Sequence, residues 1–226
     1  MLEAASEATL RGEISRLTRL CGGRREQVAN LVGYLDKQGL YSAPASASYH
    51  SNHDGGLIEH SINVTRVLLI LKSRLLDEYT GDFEWMSAAS KRELPHITDE
   101  SCVIVGLFHD AHKVCDGFGR ACYVPNVGKG GRVSEAKPYE VNKDMMAFSG
   151  AYKSVLIVSK YIGLYEHETQ AIGGHDGQYI SANRELALRE HPLLLMLSFA
   201  DLWSASLVEN KESWLYKQTA NVFFME

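Results

Sequence analysis

The run CVIVGLFHD at 102–110 constrains this chain most, because an imidazole and a carboxylate follow directly on seven apolar or small residues. Thr98 in front of it, with Asp99 and Glu100 next, reads as a capped helix start that runs to about Val114. A carboxylate carried into the interior by such a helix must be neutralised, paired with a cation or bound to a metal. Two other helices pose the same problem. His60 falls on the apolar stripe 57-60-64-67-71 of a long helix expected from Leu57 to about Tyr79. Asp201 falls on the stripe 194-197-201-205-208 of a helix expected over 192–209. Asp110 follows Val103 and Leu107, and His109 follows Cys102 and Val105. Singly, each has an ordinary explanation: a hydrogen-bonded core histidine, an aspartate that caps a helix or pairs with arginine. Jointly, three inward helix faces carry two His and two Asp, which one divalent cation satisfies at once. That donor set suits Mn, Fe, Co, Ni, Zn or Mg.

Around these helices the periodicity is helical almost throughout. Amphipathic helices are expected over 10–20 and 25–38, split by Gly22-Gly23 and stopped at Gly39. Residues 41–56 read as a polar loop, and a short helix over 86–93 ends at Pro95. Between 116 and 143 glycines and prolines break the pattern, which predicts a two-stranded hairpin with a Gly-rich tip at 128–131. Helices resume at 150–162, 166–173, 192–209 and 211–222, so the class is all-α with one small β-hairpin insertion around 117–143. The dipeptides His53-Asp54 and His175-Asp176 run into glycines and are expected in loops.

Composition narrows the function. With 45% hydrophobic and 23% charged residues the chain is neither a disordered tail nor a fibre, and 226 residues suit one generous domain. A net charge of −5 argues against a general nucleic-acid binder. Cys21, Cys102, Cys115 and Cys122 have no Cys-x-x-Cys spacing, so reduced thiols are expected rather than a zinc knuckle or disulfides. No signal peptide is legible at the start, and the longest apolar run, 192–203, is too short to span a membrane. A cytoplasmic protein without a membrane partner is the expectation.

The segments GGLIEHSINV (55–64), GLFHDAHKV (106–114) and SFADLWSA (198–205) resemble the successive motifs of the HD superfamily of metal-dependent phosphohydrolases. The resemblance covers about 41–210, and APASASYHSNHDGGLIEH is also similar to its exoribonuclease branch and to phage and bacterial members. It implies an HD-domain helical bundle over 41–226; the helices of 1–40 lie outside it and are expected to pack on the bundle or make a homodimer contact. It also implies that His60, His109, Asp110 and Asp201 bind the metal. Lys113 matches a lysine that many members carry, one turn after His109, where an ammonium can meet a substrate phosphate. His175 matches a histidine that some members use for a second metal or for the substrate. Several members carry another His just before the helix that begins near Ala151, where this chain reads FSGAYKS. That departure favours one ion, with His175 as an acid–base or phosphate-contacting group and a second ion as the alternative.

Further residues are weaker candidates. His50 and His53 are placed at the mouth of the site, His112 is expected to point away, and Lys129 and Arg132 lie on an exposed turn without P-loop spacing. The reaction implied by the resemblance is hydrolysis of a phosphoester by a metal-activated water, with Asp110, Lys113 and His175 as catalytic groups. A nucleoside mono- or triphosphate is the first expectation for the substrate. A short single-stranded nucleic acid or a cyclic nucleotide, cleaved by a 3′–5′ exonuclease or phosphodiesterase, is the second. Outside that class stand a redox iron site and a non-catalytic, metal-binding regulatory module.

Overall fold

The computed structural model describes residues 6–78, 86–135 and 137–209. Ser6 caps α1 (Glu7–Thr18), and α2 (Arg25–Lys37) follows after the Gly22-Gly23 break. The polar loop leads into α3 (Gly56–Lys72), which ends in a π turn at Ser73–Asp77. A short α4 (Ala88–Glu93) precedes α5 (Asp99–Phe108), whose Thr98 cap accepts the Ser101 N–H at 3.1 Å. Strands β1 (Tyr123–Pro125) and β2 (Tyr139–Val141) pair antiparallel, with Val124 opposite Glu140. The bundle closes with α6 (Gly150–Ser159), α7 (Glu166–Gly174) and α8 (Pro192–Trp203), the last continued by a π turn at Ser204–Val208. The architecture is therefore mainly helical with one small antiparallel sheet, as the periodicity predicts. The helix expected over 211–222 lies outside the described residues.

Two local expectations change. The helix opened by Thr98 stops at Phe108 instead of reaching Val114, and a 3₁₀ turn at Ala111–Lys113 follows. The His109 ring takes the carbonyl of Gly106 at 3.0 Å, and Asp110 leaves the helical region with φ −105° and ψ 20°. Residues 177–179 and 181–186 form 3₁₀ turns that periodicity does not reveal.

The interior is built on α3 and α5, with α7 and α8 against them. α3 and α5 approach closely at Gly106, where an added Cβ would stand 2.6 Å from Thr65 Oγ1 and 2.9 Å from Thr65 Cα. Leu17, Val28, Leu31 and Leu35 of α1 and α2 are buried in the same apolar cluster as Val64, Ile104 and Leu197. A buried ion cluster adds to that contact. Arg24 reaches Glu100 at 2.6 Å and grips both Glu168 oxygens at 2.6 and 2.7 Å, with Glu168 fully buried. No helix among the described residues is long and apolar enough to cross a membrane.

Candidate metal centre

Each ligand candidate is delivered by a different part of the bundle. His60 lies inside α3 and is fully buried, as its place on the apolar stripe requires. His109 ends α5 and Asp110 follows it, both buried. Asp201 sits near the end of α8 with its side chain about a quarter exposed, so the centre opens toward solvent on that side. His175 caps α7 at its C-terminal end and opens the turn at 175–176, as its glycine-flanked setting predicts, but it is buried rather than at the surface. The Gly173-Gly174 pair belongs to α7 itself, and Ser198 of α8 donates to the His175 carbonyl at 2.9 Å.

Two histidines share one local device. The His109 Nδ1–H donates to the Gly106 carbonyl at 3.0 Å, and the His175 Nδ1–H donates to the Ile172 carbonyl at 2.8 Å. A carbonyl can only accept, so in the neutral ring each Nε2 keeps its lone pair. Both Nε2 atoms face carboxylates. His109 Nε2 lies 3.4 Å from Asp110 Oδ2 and 4.0 Å from Asp201 Oδ1, and His175 Nε2 lies 3.6 Å from Asp110 Oδ1. His60 repeats the arrangement with a side-chain partner. Its Nδ1 donates to Glu209 at 3.1 Å, while its Nε2 stands 3.1 Å from Asp201 Oδ1 and 3.9 Å from Asp110 Oδ2.

Lone pairs facing carboxylate oxygens repel unless a proton or a cation lies between them. The Nε2 atoms of His60 and His109 are buried and have no hydrogen-bond partner. As protein groups alone, His60 and His175 answer by taking protons. Burial, the largest single effect, disfavours the imidazolium of His60, yet Asp201 and Glu209 outweigh it and push the ring up to about 9. His175 is likewise pushed up to about 9, by Asp110 against burial. Burial also raises Asp110, but Lys113 and the facing imidazoles hold its carboxyl well below the usual range. Asp201 is held down in the same way by His60 and His109.

Carboxylates outnumber ammonium groups around the centre. Three carboxylates (Asp110, Asp201, Glu209) face one ammonium, that of Lys113, which sits 2.6 Å from Asp110 Oδ2. With Asp176 also 3.7 Å from His175 Nε2, negative charge is in excess, and a divalent ion or imidazolium protons can meet it. Among the described residues, the ligand atoms of His60, His109 and Asp201 lie within 4.8 Å of one another, and so do those of His109, Asp110 and His175. The two groups share His109. These buried His and Asp groups could hold a metal ion.

His112 and His53 stand differently from their sequence expectation, and Glu209 carried none. His112 does not point away: its Nδ1 lies 3.8 Å from Asp110 Oδ1 and 3.0 Å from Ser154 Oγ, and burial pulls its pKa down to about 3. Its ring lies over Gly150, where an added Cβ would stand 2.4 Å from Nε2. His50 packs against His60 with ring centroids 4.9 Å apart, whereas His53 turns to Glu59 at 3.2 Å. Glu209 went unrecognised in the sequence. It accepts from Ser51 at 3.0 Å and Asn63 at 3.2 Å as well as from His60. A strict α-helical stripe from Asp201 points to Val208; the π turn closes i to i+5 and brings Glu209 onto that face instead.

The hairpin borders the site: Tyr123 of β1 is partly buried and close enough to feel the charges of Lys113 and Asp110. Tyr139 of β2 donates to Asp54 Oδ1 at 2.5 Å, tying the hairpin to the loop before α3. Lys129 and Arg132 at its tip are exposed. No family model matches this chain, and no curated protein or solved structure matches it either.

Proposed function

We propose that the chain is a metal-dependent phosphohydrolase of the HD type, acting on a phosphoester of a nucleotide. The observation that carries the reading is the convergence of the His60, His109 and His175 Nε2 atoms on Asp110 and Asp201, with the first two lacking any hydrogen-bond partner. His60, His109, Asp110 and Asp201 would hold the ion, and Glu209 would orient His60 from behind. A divalent cation bound there supplies Lewis acidity and lowers the pKa of a water toward roughly 7. Lys113 moves its ammonium from Asp110 to the non-bridging phosphoryl oxygens and offsets charge that develops there. His175, whose Nε2 lies 3.6 Å from Asp110 Oδ1, would donate to the leaving oxygen. The side at Asp201, about a quarter exposed, would admit the substrate, which a sealed structural site would not.

The test is metal analysis of the purified chain, followed by a phosphoester panel with Mn, Co, Ni and Mg. Asp110→Ala is expected to lose both bound metal and turnover. Metal without hydrolysis of any phosphoester would favour a regulatory module. Full turnover by a metal-stripped Asp110→Ala protein would refute the mechanism. Activity that falls steeply with salt would assign the substrate to oligonucleotides instead.

A further inference from the structure

Away from the metal centre, the outer face of α6 forms one wall of a cavity of about 400 Å³. The turn at 116–120 and the segment at 146–148 supply the rest of the lining. Phe118, Met146, Phe148 and Leu156 present apolar surface to it and are 84, 75, 54 and 55% exposed. An apolar concavity of this size is uncommon on a surface with no ligand for it, and it falls within the roughly 300–1,000 Å³ of small-molecule sites.

Its rim is cationic. Lys153 donates to the Met146 carbonyl at 2.9 Å and Lys160 to the Gly117 carbonyl at 3.1 Å, with the Lys160 ammonium 5.0 Å from the centre of the Phe118 ring. A carbonyl orients an ammonium without neutralising it, and neither lysine has a carboxylate partner among the described residues. The one acid in the lining, Asp116, is already taken by Arg120 and by the backbone N–H groups of Phe118 and Arg120. Two uncompensated positive charges therefore flank an apolar hollow in a chain whose net charge is −5.

We infer that this groove binds a small anionic amphiphile, with an aromatic or aliphatic body against Phe118, Met146, Phe148 and Leu156 and a carboxylate, sulfonate or phosphate between Lys153 and Lys160. The apolar body gains from leaving water, and the head group meets charge that the protein does not itself satisfy. The inference is independent of the metal centre.

The probe is 8-anilinonaphthalene-1-sulfonate, an anionic aromatic, compared with the uncharged N-phenyl-1-naphthylamine, both titrated by fluorescence against the full chain. The sulfonate is expected to bind saturably at one site and more tightly than the neutral probe. Lys153→Gln with Lys160→Gln should weaken the sulfonate by about tenfold and leave the neutral probe nearly unchanged. Leu156→Glu, at a solvent-facing position, should abolish binding of both; Phe118→Ser serves as a second variant if it misfolds. Equal binding of the two probes, or sulfonate binding unaffected by Leu156→Glu and Phe118→Ser, would overturn the inference. So would light scattering that shows a dimer converted to monomer by Leu156→Glu, because the occupant would then be a second copy of this chain.

Discussion

Replacing Glu209 by Gln isolates the contribution of a carboxylate that never needs to touch the ion. His60 donates its Nδ1–H to Glu209 at 3.1 Å, which fixes the tautomer and leaves Nε2 aimed at Asp201 and Asp110. A hydrogen bond to a charged partner contributes about 1.5–3 kcal/mol and a neutral one about 0.5–1.5. Gln keeps the acceptor and loses the charge, so the difference is about 1–1.5 kcal/mol, or about tenfold in metal affinity. Ala removes the acceptor and strands a buried N–H, which raises the expected loss toward about 100-fold. Glu209 also helps His60 hold the proton that the ion must displace. Part of the loss is thus hidden at neutral pH and widens as pH rises toward about 9. Isothermal titration with Mn across that range measures it in both variants. Unchanged affinity at every pH, in Gln and Ala alike, would refute the orienting role.

Other outcomes follow from the same geometry. Metal binding near neutral pH should release about one proton, that of His60, whose Nε2 the ion takes, seen as a buffer-dependent heat; no release would sink the reading that the ion replaces that proton. The His60 and His175 rings hold protons more tightly folded than unfolded. In chelator-stripped protein their stabilisation is full below 6.5 and is lost as pH climbs through about 9, so Tm should fall over that window, and the fall should shrink with metal bound. Arg24→Ala leaves Glu168 buried without its partner and should cost about 3–5 kcal/mol in urea unfolding. A cost below about 1 kcal/mol would mean that the cluster relaxes freely. Gly106→Ala should destabilise by about 1–3 kcal/mol, because Thr65 backbone lies where the new methyl would go. An unchanged Tm would show that α3 and α5 can part.

The helices were legible because their cause is local. A 3.6-residue apolar stripe and a Thr98 cap can be read without knowing what lies opposite. The same logic set His60 and Asp201 on inward faces before any partner was known. It failed where the backbone left regular geometry. α5 ended at Phe108, short of Val114, where Asp110 leaves helical geometry, and the π turn put Glu209 rather than Val208 behind His60.

By itself, the sequence determined which helix faces turn inward and that imidazoles and carboxylates ride on them, since burial of apolar stripes decides both. Only the tertiary structure decided which groups meet. It brought His175 from the end of α7 to Asp110, turned His112 over Gly150, and put Glu209 behind His60. It also joined Arg24 to Glu100 and Glu168, across 76 and 144 positions of chain. Those pairings depend on how rigid elements pack at distances that no periodicity encodes, and the electrostatic cost of a buried charge is settled only by the neighbour it finds there.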